Sequence, residues 1–107
     1  MSETEQELTA RLNRETAKIP WADLQRFYAR GELILVDKAM DLIQVACQIS
    51  LDNKEVLQQW LNQGQVVKAG DQHAMQWQER QPYLWAVVVA PWVLVQEVAS
   101  KEDQEAH

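Results

Sequence analysis

Between Tyr83 and Val98 the chain reads Tyr-Leu-Trp-Ala-Val-Val-Val-Ala-Pro-Trp-Val-Leu-Val-Gln-Glu-Val, and as far as Val95 both sets of alternate positions are apolar. One set is Leu84, Ala86, Val88, Ala90, Trp92 and Leu94; the other is Trp85, Val87, Val89, Pro91, Val93 and Val95. A strand with two apolar faces has to be covered on both. So dense a valine run would lose side-chain freedom in a helix and packs well when extended, so the pattern predicts a strand. Unbroken from Leu84 to Val95 it would extend roughly 40 Å, about twice the usual strand. Pro91 cannot donate to a ladder, so it marks a bulge, a bend or an edge, and two strand halves joined at Ala90-Pro91 are expected. Trp85 and Trp92 fall on opposite sets of this run.

The rest of the chain alternates between helical and extended signals. Ser2 to Lys18 has a helical pattern, with Ser2/Glu5 or Thr4/Glu7 as a capping box, a narrow stripe of Leu8 and Leu12, and Glu7 placed to pair with Arg11. Pro20 ends that segment and opens a second helix whose apolar face is Trp21, Leu24, Phe27 and Tyr28, closed by Gly31. Leu33–Val36 suits a buried strand. Asp41 to Leu51 fits either period: as a strand it aligns Ile43, Val45, Cys47 and Ile49, and as a helix it mixes Ser50 with Ile43, Ala46 and Cys47. The period-2 pattern is the cleaner, so a hairpin of Leu33–Val36 with Leu42–Ser50 is predicted. Asp52 to Gly64 is a well-signalled helix with Val56, Leu57, Trp60 and Leu61 on one face, and Gln65–Ala69 is a connector or short strand. A last helix runs from Gly70-Asp71 to about Arg80, with Ala74, Trp77 and Met75 inward, and stops at Gln81-Pro82.

Length and charge narrow the function classes. A chain of 107 residues is long enough for one core, which puts a single domain over residues 1–98 and a flexible polar tail over 99–107. The net charge of -6 and pI near 4.8 argue against a phosphate backbone as partner, since no basic run interrupts the acidic background. The acidic N-terminus lacks the form of a secretory signal, and the longest apolar run is too short to span a bilayer, so no membrane association is expected. A single cysteine, Cys47, leaves no internal disulfide and fits a cytoplasmic location.

Chemistry-bearing patterns are sparse. The glycines Gly31, Gly64 and Gly70 are too scattered to cradle a phosphate, and the histidines His73 and His107 are too few for a metal site, so no cofactor and no metal are expected. Cys47 with His73 would be the one nucleophile–base combination, but Cys47 sits among apolar positions, where a free thiol behaves as a small hydrophobe. Asp37 and Asp41 flank a turn and are better suited to turn hydrogen bonds than to acid–base work. No catalytic residue is predicted, and the chain reads as a non-enzyme. The five tryptophans are the one compositional excess with functional content. Trp60 and Trp77 belong to helix stripes, whereas Trp21, Trp85 and Trp92 are the candidates for ligand or partner contact, an aromatic body with one polar N–H being useful at such surfaces.

Ile19-Pro20-Trp21-Ala22-Asp23-Leu24, Leu33-Ile-Leu-Val-Asp37, Trp60-Leu61 and Ala86-Val-Val-Val-Ala-Pro91-Trp-Val-Leu-Val-Gln96 together resemble a family of short acidic bacterial proteins classed as a domain of unknown function. The resemblance runs from about Leu12 to Gln96. Many similar sequences carry a proline where this chain has Lys38. The resemblance implies a bacterial cytosolic source, and no activity, cofactor or site residue comes with it. The expectation is an α+β fold, a small predominantly antiparallel sheet of about three strands packed by three to four helices. With little material to cover two apolar faces, the reading favoured is a protein-interaction module. Its partner would be an unidentified protein or itself, as a homodimer burying part of the long strand or the Leu8/Leu12 helix. The alternative is a small-ligand binder with a tryptophan-lined pocket.

Overall fold

The computed structural model describes residues 3–98; the predicted tail over 99–107 lies outside the described residues. Ten elements follow one another: α1 (Glu5–Glu15), β1 (Ala17–Pro20), α2 (Trp21–Ala29), β2 (Leu33–Val36), α3 (Leu42–Ser50), α4 (Lys54–Asn62), β3 (Val66–Lys68), α5 (Asp71–Arg80), β4 (Tyr83–Val89) and β5 (Trp92–Glu97). The fold is α+β. Its sheet has five strands in the order β1-β4-β5-β2-β3, and every pairing is antiparallel except that of β2 with β5. The antiparallel majority agrees with the sequence reading, while the expected three strands become five and the three to four helices become five.

The long apolar run folds back on itself as a hairpin. Ala90-Pro91 is a cis peptide at the turn, and the register runs from Val89 opposite Trp92 to Leu84 opposite Glu97. Odd-numbered residues of β4 therefore face even-numbered residues of β5. Trp85 and Trp92, on opposite sets of a continuous strand, end on the same face because the turn changes the parity.

That face carries Trp85, Val87, Val89, Trp92 and Leu94 and is covered by α1, α3 and α4; the reverse carries Leu84, Ala86, Val93 and Val95 and is covered by α2 and α5. The chain thus supplies helices for both apolar faces of its central hairpin. With five helices in place of three or four, the need for outside cover shrinks to whatever the helices leave open.

One of the five strands and one of the five helices differ from the sequence reading. Leu42–Ser50 is α3, not the second strand of a hairpin. Asp41 caps it, its Oδ1 accepting from the amides of Ile43 at 3.0 Å and Gln44 at 3.3 Å. The helix buries Leu42, Val45, Ala46 and Cys47, and a helix enclosed on so much of its surface has apolar residues at both spacings, which is why the alternation misled. Ala17–Pro20 looked like the end of a helix, yet it is edge strand β1, paired Ala17 to Ala86 through Pro20 to Tyr83. The helix before it keeps its Thr4/Glu7 capping box, with Thr4 N donating to Glu7 Oε1 at 2.8 Å and Glu7 N to Thr4 Oγ1 at 3.1 Å. Occupied there, Glu7 leaves Arg11 to pair with Glu3 at 3.1 Å and Glu15 at 3.3 Å. Met75, expected inward, is exposed.

Three helices end in the same way. After α2, Gly31 N donates to Tyr28 O and Glu32 N to Phe27 O; after α4, Gly64 N donates to Leu61 O and Gln65 N to Trp60 O. This paired closure needs one left-handed residue, and both glycines have positive φ, 74° and 75°. After α3 the same bonds are made by Asp52 N to Ile49 O and Asn53 N to Gln48 O, but the left-handed position is held by Asp52, with φ 60°. A β-carbon there is strained and glycine is not. Asp52→Gly is therefore expected to raise the unfolding free energy by about 0.5–1 kcal/mol, the relief of the left-handed strain exceeding the added freedom of the unfolded chain. Leu94→Ala, at a fully buried position on the central strand, is expected to lower it by about 2–5 kcal/mol. Chemical denaturation followed by tryptophan fluorescence measures both, and a neutral or destabilising Asp52→Gly would refute the first.

Candidate functional site

The three tryptophans singled out from the sequence do not converge. Trp21 is buried at the start of α2 beside Trp77, ring centroids 5.2 Å apart, and its Nε1–H donates to Gln78 Oε1 at 3.1 Å. Trp85 and Trp92 are half-buried on the opposite face of the sheet, under the α1, α3 and α4 layer. Lys18 of β1 lies over the Trp85 ring, 5.1 Å from its centroid. The sheet stands between Trp21 and the other two.

The same separation applies to Cys47 and His73. Cys47 is 0 % exposed, in the α1/α3 layer, and Thr9 Oγ1 donates to its Sγ at 3.7 Å. His73 sits in the first turn of α5 on the other side, stacked 5.7 Å from Trp77, with Nδ1 accepting from Gly70 N at 3.0 Å. Asp37 Oδ1 accepts from Ala39 N at 2.9 Å, and Asp41 caps α3, so both carboxylates serve local backbone. Among the described residues no three His, Cys, Asp or Glu side chains are grouped so as to hold a metal ion. A cavity of about 260 Å³ between the ends of β2 and β3 is lined by Asp37, Lys38, His73 and Glu97, but Glu97 Oε2 already accepts from Trp77 Nε1–H at 3.1 Å. Each of these groups except Lys38 has a structural duty.

The apolar concavity lies elsewhere and follows from the path of α2. Trp21 N donates to Pro82 O at the start of β4, and Val93 N donates to Glu32 O just past the helix. The helix therefore crosses the sheet diagonally, from the β1/β4 end towards the β2/β5 end, and leaves one corner of β1 and β4 uncovered. Ala86, Val88 and Val93 form the floor of the groove there, with Ala17 and Ile19 of β1 and Leu24 and Phe27 of α2 as its sides; its volume is about 550 Å³. Val88 is 58 % exposed although Val93, opposite it in the register, is 4 % exposed. At the rim stand Glu15, Asp23 and Arg26. The Arg26 guanidinium lies 4.9 Å from the centre of the Phe27 ring, a contact that holds its cation at the groove. None of the tryptophans lines this groove. Its residues were not distinguishable in the sequence: the alternation places Val88 on the face opposite Val87 and Val89, with Leu84 and Ala86, but only the path of a helix distant in sequence leaves it open while Leu84 and Ala86 are covered.

Among the described residues no helix is long and apolar enough to cross a membrane. No curated protein matches the chain. The solution NMR structure of PA1075 from Pseudomonas aeruginosa is similar to it, with 50 % sequence identity, a TM-score of 0.78 and coverage of 94 % of each chain. The family described as a protein of unknown function, DUF2288, matches residues 7–97. The chain belongs to that family.

Proposed function

We propose that the protein is a non-enzymatic interaction module, and that an apolar segment of another protein docks in the groove between α2 and the β1/β4 corner. The observation that carries this reading is Val88, a branched apolar side chain left open to water on the apolar floor of a concave surface whose rim is polar. A tryptophan-lined ligand pocket has less support, since Trp21 lies across the sheet from Trp85 and Trp92.

The sheet edges favour the groove as the docking route. Pairing in an antiparallel ladder alternates, and the bond from Trp21 N to Pro82 O sets the phase at β1. Lys18 and Pro20 therefore turn their backbone groups outward. Pro20 has no N–H, and the lysine adds charge, so this edge offers an incoming strand a poor template. β3, the other edge, is three residues long. Strand addition is blunted at both ends, and a side-chain groove remains.

Photo-crosslinking in the native cell tests the proposal. A photoreactive phenylalanine analogue at position 88 is expected to yield one discrete adduct, and the same analogue at exposed Glu79 on α5 none. The adduct mass distinguishes another protein from a second copy of this chain, the homodimer. Equal adducts from both positions, or none from position 88, would count against the groove. The non-enzymatic reading carries its own expectation: Cys47, sealed beneath α1, should react with a thiol reagent only at the rate of unfolding. Fast modification in the native state would reopen a role for it.

A further inference from the structure

The rim of the groove specifies the partner further, on the assumption that the groove is the docking site. Glu15 is already paired with Arg11 at 3.3 Å. Arg26 rests over Phe27 and keeps its charge at the Phe27 side of the groove, outside ion-pair distance of Asp23. Asp23, in the first turn of α2, has no cation within ion-pair distance among the described residues. The mouth of an apolar groove thus carries one uncommitted carboxylate, on a chain whose net charge is -6. We infer that the groove takes a partner segment with an aliphatic anchor, Val, Ile or Leu, and a Lys or Arg beside it, the anchor against Val88 and the cation on Asp23.

Charge complementarity selects such a partner over a second copy. Two of these chains apposed groove to groove about a twofold axis bring together two surfaces of a chain whose net charge is -6, with both Asp23 side chains at one mouth. Like charges at a rim slow encounter and disfavour the wrong partner, whereas a basic segment is steered in by the same field. Across the sheet, Lys18 is engaged over Trp85 and Arg11 with Glu3 and Glu15, so neither cation is available to neutralise Asp23.

Selection from a random peptide library displayed on phage tests the inference without a known partner. The full chain, its Val88→Asp variant and its Asp23→Lys variant are panned in parallel, with folding checked by circular dichroism. The wild type is expected to enrich peptides that pair an aliphatic anchor with Lys or Arg, and Asp23→Lys to shift the flanking preference to Asp or Glu. Val88→Asp is expected to weaken the peptides selected by the wild type by roughly tenfold or more. Should Val88→Asp fail to fold, the near-isosteric Val88→Thr serves, with a smaller loss in the same direction. An unchanged flanking preference in Asp23→Lys overturns the assignment of Asp23 and leaves groove docking standing. Binding that ignores position 88, or no enrichment at all, overturns both. A dimer mass in light scattering that Val88→Asp abolishes puts a second copy in the groove and overturns the basic partner.

Discussion

The β4–β5 hairpin has no polar face, and that constraint determines where the other elements sit. With valine and leucine on both sides and both its tryptophans on one, the hairpin can exist in water only as the middle of three layers. It is flanked by β1 on one side and β2 on the other, and the helices divide between its faces, α1, α3 and α4 on one, α2 and α5 on the reverse. Each apolar side chain buried there contributes about 1.5–3 kcal/mol of gross stabilisation, most of it offset by chain entropy.

Directional bonds then fix what burial alone leaves loose. Trp77, fully buried in α5, reaches Glu97 at the end of β5; Trp21 and Gln25 of α2 both donate to Gln78 of α5; Gln96 Nε2 donates to the carbonyls of Asp37 and Met40, which ties the β2–α3 loop to the central strand. Among the described residues no buried side-chain nitrogen or oxygen lacks a hydrogen-bond partner. The polar atoms inside this fold are engaged in holding layers together. A contact with another molecule has to be sought where side chains meet water.

Local chemistry was legible in the sequence, and long-range partnership was not. The capping box at Thr4, the turn at Pro20, the stop at Gly31 and the break at Ala90-Pro91 each depend on residues within a few positions, and each appears where the residues indicated. Ala17–Pro20 is a strand only because β4, more than sixty residues away, offers it an edge. Leu42–Ser50 carries both periods because α3 buries Leu42, Val45, Ala46 and Cys47 and partly buries Ile43 and Ile49 as well, which leaves only Gln44 and Ser50 exposed. The three tryptophans were marked by type, but their faces depended on the parity of the hairpin turn. The groove was the least legible, since the alternation assigns Val88 a face but nothing in the valine run says that this position is left uncovered.

That illegibility has a physical origin in the length of α2. Nine residues of helix, pinned at one end by Trp21 N on Pro82 O and released at the other by the left-handed Gly31, cross the sheet obliquely and stop where β2 must begin. A helix laid along β4 would cover Val88 and would have to give up either the bond to Pro82 or the short link to β2. Val88 is therefore exposed as a consequence of constraints located elsewhere. A fold under selection for solubility alone could remove the exposure with one polar residue on the outward face of β4, at little cost to the core. The valine at that position, with Asp23 on the same groove, is the feature on which the proposed docking rests.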